Sequence, residues 1–179
     1  MITKQKIDAV IKNKLQSLLI TTQISNIDEV VFPYQFNATL LYPTDDFLLT
    51  ERQFNALTSL SNQNKIFIMQ IGYSDNFLSE DNEIYLLEPP VSYQEYSKLR
   101  FDTITIMFSD SYDWIALIDE SIEGGECILA GNQQIIKQFQ NSYSNNDIIK
   151  FVLFQINDYK ERQHIEILDH LLSIVKKLC

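Results

Sequence analysis

The segment KIFIMQIGY, residues 65–73, restricts the fold of this chain more than any other feature of its sequence. The segment has the length of a β-strand, and it carries apolar residues at both odd and even positions. A strand that is apolar on both sides must be covered by other elements on both faces. We therefore predict that residues 65–73 form a central strand of a layered domain.

Further strands are predicted where β-branched and aromatic residues, which favour strands, are concentrated in short runs. These runs are residues 29–42, 84–87, 101–108, 113–119 and 126–130. Pro33 has no backbone N–H to donate, which favours a break or a sheet edge there. Gly124 and Gly125 suit a tight turn, so residues 113–131 are predicted to form a hairpin. Apolar neighbours favour a core position for Trp114, and an interface hot spot is the alternative.

Helices are predicted at both ends of the chain. Apolar residues at helical spacing predict an N-terminal helix over residues 3–20 and a C-terminal helix over residues 162–178. The N-terminal helix would bury Ile7, Val10, Ile11, Leu15, Leu18 and Leu19. Residues 147–160 fit both a helix and a strand, and we favour the helix.

Side chains that can cap helices predict three further starts. Thr50 with Gln53 and Ser92 with Glu95 both have the spacing of a capping box. Asn132 can cap another helix, whose inward side chains would be Ile135, Ile136 and Phe139.

The order of these elements predicts an α+β fold, in which a mostly antiparallel central sheet is flanked by N-terminal and C-terminal helices. A length of 179 residues suits one compact domain. Only four Gly and four Pro leave little room for flexible linkers. We therefore assign residues 1–179 to a single domain.

The whole chain has a net charge of −10, and its acidic residues are concentrated in the middle third. Residues 71–130 hold thirteen Asp and Glu against Lys98 and Arg100, a net of −11, whereas residues 1–70 sum to zero and residues 131–179 to +1. Such a field repels nucleic acid and attracts basic partners. The alternative is an acidic surface that only maintains solubility.

The sequence carries no established motif for catalysis, metal binding or phosphate binding. His164 and His170 are six residues apart and lie on different faces of a helix, and neither has a Cys neighbour in sequence, as a zinc site would need. The acidic segments do not follow the ligand spacing of a calcium loop. No nucleophile elbow and no phosphate-binding loop occurs. We predict no metal, no cofactor and no enzymatic activity. Paired carboxylates, for example Asp119 with Glu123, can in principle perform acid–base chemistry, but flanking charges this dense more often mark a solvated rim.

The sequence also predicts a location. No apolar run approaches the roughly 20 residues that span a bilayer, and Lys residues interrupt the N-terminal segment, unlike a signal peptide. Cys127 and Cys179 lie far apart and are expected to be free thiols. We expect a cytoplasmic protein that binds neither membrane nor nucleic acid.

Three stretches, LLTERQFNAL, KIFIMQIGY and DWIALIDE…ECILAGNQQIIKQF, follow one another along the chain and precede two predicted terminal helices. In this order they resemble the small immunity proteins of bacterial toxin–immunity pairs, including those of contact-dependent growth inhibition. An acidic insertion at residues 119–126 departs from the pattern of that family. The resemblance implies a cytoplasmic protein that neutralises a cognate toxin by binding its C-terminal domain.

We therefore predict an immunity protein that binds a basic toxin domain, such as a nuclease, through an acidic surface. The predicted contact residues are Asp110, Tyr112, Asp113, Asp119, Glu120, Glu123 and Glu126. Two alternatives are a small carboxylate-based enzyme and an adaptor protein of the same fold that binds no toxin. The sequence leaves open the oligomeric state, and whether the 119–126 hairpin or the 74–83 loop is the contact surface.

Overall fold

A computed structural model describes residues 1–19, 32–41, 48–61, 64–71, 76, 78–79, 82–101, 103–119, 126–142, 153, 156–157 and 160. Its helices and strands are β1 (Ile2–Lys6), α1 (Ala9–Leu18), β2 (Asn37–Leu41), α2 (Glu51–Leu60), β3 (Ile66–Ile71), β4 (Glu83–Leu87), α3 (Tyr93–Tyr96), β5 (Ile104–Ser109), β6 (Trp114–Asp119), β7 (Glu126–Gly131) and α4 (Gln133–Ser142).

Seven strands in this part of the chain form one sheet, in the order β1-β4-β3-β5-β6-β7-β2. All of their pairings are antiparallel. Five of the six side chains of β3 and all six of β5 are buried, because these strands lie inside the sheet and are covered on both faces. The predicted α+β fold with its antiparallel central sheet is confirmed.

Helices lie on both faces of the sheet, so the described part of the chain has three layers. On the first face, α1 contributes Ile11, Leu15 and Leu18 to a core with Phe67, Met69, Ile106, Phe108, Ile115 and Leu117. On the second face, α2, α3 and α4 contribute Phe54, Leu57, Tyr96, Ile136 and Phe139 to a core with Ile68, Met107, Trp114, Ala116 and Leu129. Within the predicted strand of residues 65–73, β3 (Ile66–Ile71) is therefore covered on both faces, and residues 72–73 lie outside the described residues.

The N-terminal segment differs from the predicted helix over residues 3–20. Residues 2–6 form the edge strand β1, whose backbone pairs with β4. The helix begins only after Asp8, whose side chain accepts a hydrogen bond of 2.8 Å from the Ile11 N–H. Val10 was predicted to face inward, but 60 % of its surface is exposed. The prediction was wrong here because pairing with a distant strand outweighs local helical spacing.

The capping residues start helices as predicted. Thr50 and Ser92 both form complete capping boxes, with Gln53 and Glu95 respectively. The Asn132 Oδ1 accepts from the Ile135 N–H at 2.9 Å, and the predicted inward residues of α4 are buried. These signals depend on residues three positions apart, so the chain forms them without help from distant elements.

The strand predicted over residues 29–42 starts later than expected, after a turn at Pro33. The Phe36 N–H donates to the Pro33 carbonyl oxygen at 2.9 Å, which closes a turn, and β2 starts at Asn37. β2 is the last strand of the sheet, as the missing N–H of Pro33 favoured. Residues 29–31 and 42 lie outside the described residues.

The C-terminal predictions are tested in part. Within residues 147–160, the four described positions, Leu153, Ile156, Asn157 and Lys160, are helical, and Ile156 is buried in the core of the second face. The predicted helix over residues 162–178 lies outside the described residues.

Candidate protein-binding site

The strand register defines two ends of the sheet. The end that we name the hairpin end holds the strand termini Ile71, Glu83, Ile104, Asp119 and Glu126. At the opposite end, which we name the turn end, residues 110–113 join β5 to β6. A binding surface could use either end, and the sequence marked residues at both.

The predicted contact residues are divided between these two ends. Asp110, Tyr112 and Asp113 lie at the turn end, and the backbone positions of Asp119 and Glu126 lie at the hairpin end. Glu120 and Glu123 lie outside the described residues. Because a strand rises about 3.3 Å per residue, residues 113 and 119 are about 20 Å apart. The structure therefore does not gather the predicted residues into one compact site.

The carboxylate of Asp113 is held within the turn. Its Oδ1 accepts from the Ser109 hydroxyl at 2.8 Å and from the Ser111 hydroxyl at 2.7 Å, and the two hydroxyl oxygens are 2.8 Å apart. Ser109 is fully buried and Asp113 is half-buried. Asp113 thus closes the β5–β6 turn. The segment Ser-Asp-Ser-Tyr-Asp, residues 109–113, could have indicated this role, because Ser and Asp side chains commonly form hydrogen bonds within turns.

Tyr112 attaches the same turn to α1. Its backbone has a φ of 53°, in the left-handed region, and its ring lies 5.7 Å from the ring of Phe108 and 6.4 Å from that of Phe67. The Lys14 Nζ lies 4.3 Å from the centre of the ring, within the range of a cation–π contact. Its half-buried ring is therefore used in packing and is not a freely exposed aromatic contact.

The hydroxyl of Tyr112 lies in an environment that disfavours its ionisation. Burial, and after it the negative charges of Asp110 and Asp8, raise the pKa of Tyr112 to about 12. Loss of the proton would place a negative charge on the phenol oxygen, in a partly apolar position near the carboxylates of Asp110 and Asp8. The phenol therefore stays neutral at physiological pH.

Asp110 is the exposed carboxylate of the turn. Its backbone N–H donates to the Lys65 carbonyl oxygen at 2.8 Å, which fixes its position beside the start of β3. Nearby, the Lys65 Nζ forms an ion pair of 3.0 Å with the Glu88 carboxylate. The Lys65–Glu88 ion pair therefore compensates part of the charge at the turn end, whereas the Asp110 carboxylate is exposed to solvent.

The hairpin end places acidic residues opposite one another. Asp119 and Glu126 are the last paired positions of β6 and β7, and they stand directly across from each other in the register. Opposite positions of an antiparallel pair have Cβ atoms about 5 Å apart, and like charges there are destabilising. The predicted β6–β7 pairing is confirmed, whereas its turn at residues 120–125 lies outside the described residues.

Two acidic connections start and finish at this end. One joins Ile71 of β3 to Glu83 of β4, and the other joins Asp119 of β6 to Glu126 of β7. Residues 72–83 contain four acidic residues, as do residues 119–126, and neither segment contains a Lys or Arg. The ends of β3 and β6 are two strand spacings apart, about 10 Å. The hairpin and the 74–83 loop, which the sequence offered as alternatives, are thus connected to the same end of the sheet.

A lysine lies at the border of this acidic end. The Lys4 Nζ of β1 forms an ion pair with the Glu83 carboxylate and lies 5.7 Å from the centre of the Tyr85 ring. The hydrogen bond with Glu83 is the main reason that the pKa of Lys4 is raised above its ordinary value. Both partners are about half-exposed, so this pair contributes little to stability.

Trp114 is a core residue, as its apolar neighbours indicated. It is fully buried on the second face, and a fully buried ring cannot be a hot spot of an interface. Gly131 allows this packing, because a Cβ at Gly131 would lie 2.9 Å from the Asp113 carbonyl oxygen and 3.1 Å from the Trp114 Cβ. The close approach of β6, β7 and α4 therefore requires Gly at this position.

Two surface cavities lie beside α2. The larger, of about 670 Å³, lies between α2 and Ser142 at the end of α4, and the smaller, of about 290 Å³, lies between α2 and residues 89–91. Of the described residues that line them, Glu51 is the one carboxylate. Among the described side chains, the Glu83 carboxylate of the hairpin end lines neither cavity.

Among the side chains that the structure describes, no group of three or more His, Cys, Asp or Glu is arranged to hold a metal ion. His164, His170 and Cys179 lie outside the described residues, and Cys127 is described only by its backbone in β7.

No family model, curated protein or solved structure matches this chain. A proposal for the function of this chain therefore rests on the charge and geometry of the two ends of the sheet. As for a membrane, none of the helices in the described ranges has the length and the apolar character that crossing a bilayer requires.

Proposed function

We propose that this chain is a cytoplasmic immunity protein, which neutralises a toxin by binding its basic C-terminal domain. The observation that carries the proposal is the hairpin end of the sheet, to which two acidic connections without any Lys or Arg are joined. A concentrated field of one sign attracts a partner of the opposite sign and raises its association rate.

The cross-strand position of Asp119 and Glu126 supports the same proposal. The backbone register pairs Asp119 with Glu126, and like charges at directly opposite positions of an antiparallel pair generally disfavour that pairing. Folding by itself does not favour this pair, whereas a basic partner that binds between the two strand ends does. The cost to folding is thus offset when the partner supplies Lys or Arg.

The turn end has a different role in this proposal. Asp113 and Tyr112 hold the β5–β6 turn and α1 in place, so they support the fold and do not contact the toxin. Asp110 is exposed, but it lies about 20 Å from the hairpin end. We therefore assign toxin contact to Asp119, Glu120, Glu123 and Glu126, together with the 72–83 connection, which joins strands at the same end of the sheet.

The decisive experiment uses the reading frames that neighbour this gene. Each reading frame is expressed in a host that lacks both that reading frame and the gene of this protein, once alone and once together with this protein. We expect one product to stop growth when expressed alone and to permit growth when this protein is present, and the purified pair to form a complex. The proposal is wrong if no neighbouring product inhibits growth, or if this protein relieves none of the inhibition. A stable complex with a harmless neighbour would instead favour the adaptor.

Two single variants then locate the contact. Glu123→Lys and Asp110→Lys change the net charge equally, but the first lies in the β6–β7 connection and the second at the turn end. We expect Glu123→Lys to weaken protection from the toxin and Asp110→Lys to preserve it. Equal protection by both variants would show that the toxin does not contact the β6–β7 connection.

A further inference from the structure

We draw no further inference here: the strongest candidate, the groove of about 670 Å³ between α2 and the end of α4, which is lined by Thr50, Arg52, Asn55, Ser59 and Ser142 among the described residues, carries nothing because no feature in that part of the chain shows what covers it.

Discussion

At the scale of single residues, the β5–β6 turn separates two carboxylates that look alike in the sequence. Asp110 is exposed to solvent, whereas Asp113 accepts hydrogen bonds from Ser109 and Ser111. Ser109 is fully buried, so its hydroxyl needs an acceptor inside the protein. A buried polar group that loses its partner destabilises the fold more than an exposed charge that is removed.

The first prediction compares alanine variants of these two residues. Asp113→Ala should lower the free energy of unfolding by about 1–3 kcal/mol, because Ser109 loses its carboxylate acceptor. Asp110→Ala, the matched control in the same turn, should change it by less than about 0.5 kcal/mol. Urea denaturation of both variants measures the difference. Similar losses in the two variants would mean that the Ser–Asp hydrogen bonds do not stabilise the turn.

The second prediction concerns Tyr112 at high pH. Its pKa of about 12 exceeds the ordinary tyrosine value of about 10. The folded protein therefore holds this proton more tightly than the unfolded chain does. The resulting stabilisation is complete below pH of about 10 and is lost as the pH rises through the folded value.

The measurement for Tyr112 is the free energy of unfolding at several pH values between about 10 and about 12, the range bounded by the two pKa values. We expect the original protein to lose more stability over this range than Tyr112→Phe, in which the titrating group is missing. The other tyrosines are present in both proteins and serve as the internal control. Parallel curves would rule out a raised pKa at Tyr112.

At the scale of elements, β6 joins the core to the acidic end. All five residues from Trp114 to Ile118 are fully buried, and they alternate between the two faces of the sheet. The strand ends at Asp119, where the acidic connection begins. A well-packed strand holds the start of this connection in a fixed position, which suits a surface that must meet a partner in one orientation.

The third prediction tests this packing. Leu117 is fully buried in the core beneath α1, so Leu117→Ala should lower the free energy of unfolding by about 2–5 kcal/mol. Val10→Ala on the exposed side of α1 is the control, and its effect should stay below about 0.5 kcal/mol. Chemical denaturation measures both variants. An effect of Leu117→Ala as small as that of Val10→Ala would contradict the buried position of β6.

At the scale of the whole molecule, the charge is unevenly placed along the chain and within the fold. Eight of the thirteen acidic residues of positions 71–130 belong to the two connections of the hairpin end or to the strand ends that they join. Exposed charges at a loop contribute little to folding, but they act together on an approaching partner. Their effect should therefore be visible in association kinetics before it is visible in stability.

The fourth prediction reverses three of these charges, in the variant Glu120→Lys, Glu123→Lys and Glu126→Lys. It should slow association with the toxin domain found in the growth experiment severalfold at low salt. The difference should shrink at about 1 M salt, where the screening length is only about 3 Å. Stopped-flow binding at both salt concentrations measures the effect.

Thermal unfolding of the triple variant is the control for its fold. Its melting temperature should be unchanged or slightly higher, because Lys at position 126 would stand opposite Asp119 and remove a repulsive pair. A large fall in melting temperature would mean that these carboxylates stabilise the fold. An unchanged association rate at low salt in a well-folded variant would place the toxin elsewhere on the surface.

The sequence by itself determined those features that depend on neighbouring residues. The apolar run of β3 required coverage on both faces, and the capping residues Thr50, Ser92 and Asn132 marked the starts of three helices. The β6–β7 pairing and the buried position of Trp114 were also predictable. In each case, the physical cause lies within a few positions along the chain or within one hairpin.

Only the tertiary structure decided the features that depend on distant partners. Residues 2–6 are a strand because β4, about 80 positions later, offers its backbone for pairing. Tyr112 is a packing residue because Phe67 and Lys14 come from other elements, and no local pattern predicts that contact. The division of the predicted contact residues between two ends of the sheet follows from the direction of β6, which separates residues that are neighbours in the sequence.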